Sequence, residues 1–151
     1  MDVSILLLEN KKARFNYFIE DKINCGIVLK GTEVKSIKLK KFSFNDSFAS
    51  IKRDEMWLEN LHIAKYKEGN IFNHEETRLR KLLITKKEIH KLKRFKQKEG
   101  YTLVPISIYL KNSLIKVELG ICKGKKLFDK REVLKQKSIK KDLGRVIKQY
   151  R

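Results

Sequence analysis

Short runs of alternating apolar and polar residues recur along this chain. From Tyr101 to Tyr109 the apolar positions include Val104, Ile106 and Ile108, continuing to Leu110. From Leu114 to Cys122 they include Leu114, Val117, Leu119 and Ile121. A period of two is that of a strand with one buried face, so both segments predict strands, with Lys111-Asn112-Ser113 as the turn between them. Phe15–Ile19 and Ile23–Leu29 predict two more strands, joined by a polar turn at Glu20-Asp21. Gly26 inside the second predicts a bulge or sharp coil. Phe48–Lys52 and Met56–Ile63 flank Arg53-Asp54-Glu55 as a hairpin. Trp57 in that hairpin reads as a core residue, with base stacking as its other role. Tyr66–Glu76, containing Gly69, Asn70, Asn73 and His74, reads as loop.

Helical spacing interrupts the strands twice in this stretch. Gly31–Ile37 predicts a turn and short helix with Thr32 as N-cap and Val34 and Ile37 facing inward. Glu33 falls in the first turn, where the helix dipole favours a carboxylate; its other reading is as an acceptor for exposed base edges. Thr85 and Glu88 have capping-box spacing, and Ile84 and Ile89 sit where a hydrophobic staple places them. A helix is therefore expected from about Lys86, with Ile89, Leu92 and Phe95 inward and Gly100 as its stop. Its other faces carry Lys86, Lys87, Lys91, Lys93, Arg94, Lys96 and Lys98, either as a solvated surface or close to RNA. At least six short strands with inserted helices predict a mainly β fold. The expected form is a small closed antiparallel OB-like β-barrel over residues 1–122.

Beyond residue 122 the pattern changes. Residues 123–151 hold nine Lys and three Arg against three acids, a net of +9 out of +19 for the whole 151-residue chain. Ile139, Leu143, Val146, Ile147 and Tyr150 fall on one stripe at helical spacing, opposite a basic face. So charged a segment is expected to be disordered alone and to fold against a partner, the alternative being packing on its own barrel. A sequence pI near 10 points to a polyanion, nucleic acid first. The competing readings are a peripheral membrane-surface protein anchored by a basic amphipathic helix and a general RNA chaperone indifferent to RNA shape.

The remaining signals narrow the class. The start has a short apolar run without preceding basic residues, unlike a signal peptide, and no run approaches the length of a membrane span. Cys25 and Cys122 lie in apolar runs and read as buried, reduced thiols, which suits a cytoplasmic protein. No nucleotide-binding glycine loop, metal-ligand spacing or nucleophile–base grouping can be assembled. The chain is therefore expected to be no enzyme, with no cofactor and no metal, and to act as a monomer.

Several motifs in order resemble the SsrA-binding protein family (small protein B). They are Asn10-Lys11-Lys12-Ala13, Gly26-Ile27, Gly31-Thr32-Glu33-Val34-Lys35-Ser36, Asp46-Ser47, Asn73-His74, Arg80-Lys81-Leu82-Leu83, Val104-Pro105, Lys123-Gly124-Lys125-Lys126 and Asp129-Lys130-Arg131. The resemblance implies an oligonucleotide-binding barrel that binds the tRNA-like domain of transfer-messenger RNA and takes it to stalled ribosomes for trans-translation. By motif position, Asn10, Lys11, Glu33, Lys35, Arg80, Lys81, Lys123, Gly124 and Lys125 would lie on or near the RNA-contacting side. Phe128, Asp129, Lys130 and Arg131 would lie at the ribosomal decoding centre, with Ile139, Leu143 and Ile147 on a helix in the message channel. Many members have histidine where this chain has Phe128; phenylalanine can stack on a base but cannot donate a hydrogen bond.

Overall fold

The structure is a computed structural model and describes residues 4–69, 71, 73–98 and 100–125. The chain runs through β1 (Ser4–Glu9), α1 (Lys11–Asn16), β2 (Tyr17–Ile27), α2 (Gly31–Lys38), β3 (Phe42–Ser43), β4 (Phe48–Lys52) and β5 (Glu55–Glu59). It continues through β6 (His62–Ile63), β7 (Arg80–Leu83), α3 (Lys86–Lys96), β8 (Tyr101–Lys111) and β9 (Leu114–Gly124). The result is mainly β with inserted helices.

All strand pairings of the large sheet are antiparallel. Followed from β8, they pass through β4, β5, β7, β2 and β9 and return to β8, while β1 pairs with the second half of β8. A separate two-stranded ladder joins β3 to β6. Two tight hairpins shape the large sheet. Arg53-Asp54 joins β4 to β5 and Asn112-Ser113 joins β8 to β9, all four residues with positive φ. Such a pair turns the chain with the twist its flanking strands already have.

The main core lies where these strands face one another, with Ile37, Met56, Leu58, Ile63, Leu92, Ile108 and Val117 fully buried. A smaller cluster of Ala13, Val104, Ile106 and Cys122 forms under α1. Strand β8 contributes to both. Leu103 and Ile108 face the main core, Val104 and Ile106 face α1, and the register shifts between Pro105 and Ser107. Cover on both faces explains the unbroken burial from Leu103 to Ile108, and the shift explains why the core-facing parity changes between Leu103 and Ile108. Opposite, Gly120 lets β9 approach closely, because a Cβ there would stand 2.7 Å from Ile106.

Several sequence expectations change. Phe15–Ile19 and Ile23–Leu29 are not two strands, because residues 17–27 form one continuous strand, β2. Its irregularity falls between Ile19 and Asp21, where a polar turn was expected, rather than at Gly26. Lys11–Asn16 is helical because Asn10 caps it, its Oδ1 accepting the Ala13 N–H at 3.2 Å. Thr32 is not the N-cap of α2; Lys30 holds that place, and the Thr32 hydroxyl pairs with His74 Nδ1 at 2.8 Å. Trp57 is not core, since Met56 and Leu58 take the inward positions of β5 and leave it half-exposed on the outer face. The helix at Thr85 forms as predicted, with the Thr85 side chain accepting the Glu88 N–H. Gly100, at φ +85°, lies beyond its end and leads into β8. Among the described residues no helix is long and apolar enough to cross a membrane. The tail expected over residues 123–151 begins later than that, since β9 runs to Gly124, and residues 126–151 lie outside the described residues.

Candidate nucleic-acid interface

One end of the molecule gathers the start of β2, the start of β8 and the end of β9. Lys123 pairs with Phe18 on one side and Tyr101 on the other, and Gly124 pairs with Tyr17. The Gly124 N–H donates to Gly100 O at 3.3 Å, and the Lys125 N–H to Asn16 O at 2.9 Å. These backbone bonds fix three consecutive residues of a strongly basic segment against a folded body. Lys125 Nζ also donates to Arg14 O at 3.2 Å, placing a cation at the carbonyl end of α1, where the exposed acceptors of a helix favour it.

Aromatic rings accompany these cations. Lys125 Nζ lies 5.0 Å from the ring centre of Phe18, which is 46% exposed. Lys123 Nζ lies 5.9 Å from that of Tyr101. The Tyr101 hydroxyl donates to Glu20 at 2.7 Å, and this bond, with burial and the charge of Glu20, raises its pKa. Asn10 is not at the surface of this end but beneath it. It is buried, with Nδ2 donating to Pro105 O at 2.8 Å and its N–H to Ile106 O at 2.7 Å. It anchors α1 to β8 and thereby positions exposed Lys11 in the first turn. Gly124 has a Cβ direction clear of any atom within 4 Å and no positive φ, so the fold itself does not demand glycine there.

A second group forms at the opposite end of β2, ten residues along the strand, a path of roughly 33 Å if extended. Here α2 meets β7. Glu33 Oε1 accepts the Lys30 N–H at 2.8 Å and an Arg78 Nη2 hydrogen at 2.5 Å, while Oε2 accepts from Arg80 Nε at 2.5 Å. Arg80 spends its remaining donors on backbone, Nη1 to Leu61 O at 2.6 Å and Nη2 to Glu76 O at 3.1 Å. Both the Glu33 and the Arg80 side chains have no exposed surface. Burial alone would raise the Glu33 pKa. Hydrogen bonds from Arg78, Lys30 and Arg80, with the charge of Arg80, outweigh it and hold the carboxyl below its ordinary value. Burial lowers the Arg80 pKa against the opposing pull of Glu33.

Glu33 and Arg80, expected on the RNA-contacting side, are thus internal, and each satisfies the other. Arg78, whose role sequence reasoning missed, supplies the second guanidinium at the edge of the pair. Lys35 and Lys81 are nearer solvent. Lys35 Nζ sits 5.2 Å from the Tyr66 ring centre, and Lys81 Nζ bonds Glu55 at 3.1 Å beside Trp57. The structure therefore brings Asn10, Lys11, Lys123, Gly124 and Lys125 to one end, and Glu33, Lys35, Arg80 and Lys81 to the other. Phe18 also went unassigned, although the alternation through 15–19 exposes one face and could have flagged it.

Along α3, Lys91 is paired with Asp21 at 2.8 Å and Lys93 with Asp54. The Lys91 hydrogen bond, with one from the Lys22 N–H, lowers the Asp21 pKa. Part of this basic face therefore clamps the helix to the sheet. His74 is buried, sharing its two ring nitrogens between Thr32 and Ile63 O. His62 Nε2 meets Glu76 at 2.7 Å. Among the described residues no group of histidine, cysteine and acidic side chains could hold a metal. Cys25 and Cys122 are free and buried, and burial pushes their thiols up to about 12 and about 11. Both therefore remain protonated and unreactive near neutrality. Phe128, Asp129, Lys130, Arg131, Ile139, Leu143 and Ile147 lie outside the described residues.

A family model described as SmpB protein matches residues 7–149. A protein named SsrA-binding protein from Borreliella burgdorferi is 77% identical over 148 residues, covering 98% of this chain and 99% of that one. Another of that name from Treponema denticola is 53% identical over 143 residues, covering 95% and 93%. Among solved structures, a chain described as "tmRNA-SmpB: a journey to the center of the bacterial ribosome" superposes with a TM-score of 0.68 at 45% identity, covering 80% of this chain and 85% of that one. With the family model spanning nearly its whole length, the chain belongs to the SmpB family.

Proposed function

We propose that this chain binds the tRNA-like domain of transfer-messenger RNA and delivers it to stalled ribosomes for trans-translation, as a cytoplasmic, non-enzymatic protein. What carries the reading is the name SsrA-binding protein, borne by relatives that match it almost end to end. The ladder that returns on itself through β8 supports a small closed barrel of OB type over residues 1–122. In this reading the labour at both ends of β2 is divided by depth, between surface lysines and buried residues beneath them. Lys11, Lys35, Lys81, Lys123 and Lys125 neutralise phosphates, and Gly124 lets backbone come close to one. Asn10, Glu33 and Arg80 act from beneath, holding the loops and helices that carry the contacting groups. The basic segment 123–151 starts at the end of β9 and continues as the tail, with Phe128, Asp129, Lys130 and Arg131 at the decoding centre. Ile139, Leu143 and Ile147 then line one side of a helix in the message channel.

Binding measured across a salt series should favour the tRNA-like domain over an unrelated transfer RNA at every salt concentration. Equal affinity for both would contradict the specific claim. Truncation after Lys126 should leave that binding largely intact and abolish peptide tagging on stalled ribosomes; loss of RNA binding would contradict the division between body and tail.

A further inference from the structure

A cleft opens between α1, the loop that precedes β4 and the outer face of β8. It is lined by Asn16, Tyr17, Phe48 and Thr102, and by Lys12 and Asp46, which form an ion pair 3.2 Å long. The cleft has a volume of about 160 Å³, close to the ~150 Å³ cavity that suffices for a benzene ring. Tyr17 and Phe48 line it and are only half-buried, Tyr17 also packing against the small cluster under α1. Polar groups are unspent there. Among the described residues, the Asn16 carboxamide and the Tyr17 and Thr102 hydroxyls make no hydrogen bond, and the buried Oγ of Ser47, which also lines the cleft, has no partner. Half-buried polar groups left open beside aromatic rings suit a planar ligand whose edge presents donors and acceptors. The Lys125 N–H bonds Asn16 O, so the cleft is continuous with the basic end of β9, and Lys11, Lys12 and Arg14 are exposed on α1 beside it.

We propose that this cleft receives the base of one unstacked RNA nucleotide. Its ring would lie against Tyr17 and Phe48, its edge would be met by Asn16 and Thr102, and its phosphate would rest on the neighbouring lysines. The proposal rests on the RNA-binding reading above and adds to it a site for a single base. Stacking gives affinity for any base, whereas the carboxamide and hydroxyl edge distinguishes one base from another. The Lys12–Asp46 pair is highly exposed on both sides, so opening it costs little.

The test uses the full chain with p-azidophenylalanine in place of Tyr17, photolysed with the tRNA-like domain of transfer-messenger RNA in one arm and with small ribosomal subunits in the other. The expected result is a cross-link confined to one unpaired nucleotide, and the arm in which it appears identifies the RNA that supplies the base. Asn16→Leu and Thr102→Val, each confirmed as folded by its melting temperature, should weaken binding to that RNA by about tenfold together. The slope of affinity against salt should stay unchanged, because no phosphate contact is removed. Cross-links spread over helical RNA, or none in either arm, would overturn the proposal, as would unchanged affinity in both variants. Any of these with selective binding of the tRNA-like domain intact would leave the broader function standing; loss of that selectivity in the parent protein would instead refute the function.

Discussion

The two ends of β2 use charged side chains in opposite ways. At the α2–β7 end, Glu33 and Arg80 are fully buried and saturated by each other, by Arg78 and by backbone. At the β9 end, Lys123 and Lys125 are held by their backbone and set their ammonium groups beside aromatic rings, that of Lys125 also donating to Arg14 O. A buried charge needs a partner because desolvation is costly; an exposed cation next to a ring keeps its hydration and stays available to a phosphate. The first arrangement holds architecture and the second offers binding, so charge count alone does not identify an RNA-contacting residue.

Substitutions should separate the two ends by size of effect. Arg80→Ala leaves the buried Glu33 carboxylate with only Arg78 and the Lys30 N–H, both on Oε1, and should cost about 3–5 kcal/mol, read as a fall in melting temperature of roughly 10 °C. A fall under ~2 °C would mean the pair is not the brace described. Arg78→Ala, at the partly exposed edge of the same cluster, should cost about 1.5 kcal/mol, placing it between the two ends. A pH series sharpens the point. The Glu33 pKa is depressed on folding, so its contribution is complete above the unfolded-state value near 4.5 and is lost as pH falls through the lower folded value. Glu33→Gln should be less stable at neutral pH and lack that component of acid destabilisation; identical acid slopes for variant and parent would contradict the assignment.

The elements that sequence made plain were those whose signal is local. The Thr85 cap and the β8–β9 hairpin depend on neighbours within a few residues, and both formed where expected. Elements that depend on distant partners were not legible. Strand β7 is four residues long and owes its place to pairing with β5 and β2. Strand β1 is explained by the free edge on the second half of β8. Trp57 reads as core by its composition, but the parity of β5, set by Met56 and Leu58, turns it outward. The same limit applies to the candidate site. The motif containing Glu33 was visible, yet its burial depends on Arg78 and Arg80, which lie 45 and 47 residues away. That Lys123 and Lys125 would meet Phe18 and Tyr101 follows from the β2–β9–β8 register, which no short window of sequence contains.

The most direct test of this contrast is the Lys123→Ala/Lys125→Ala double variant, with binding to the tRNA-like domain and thermal unfolding measured on the same preparation. Stability should fall by no more than about 1 kcal/mol, from the lost Lys125 contact with the carbonyl end of α1, while the log–log slope of affinity against salt should become shallower by about 1.5 for the two lost phosphate contacts. An unchanged slope, or a slope change accompanied by unfolding, would contradict the assignment of this end to RNA.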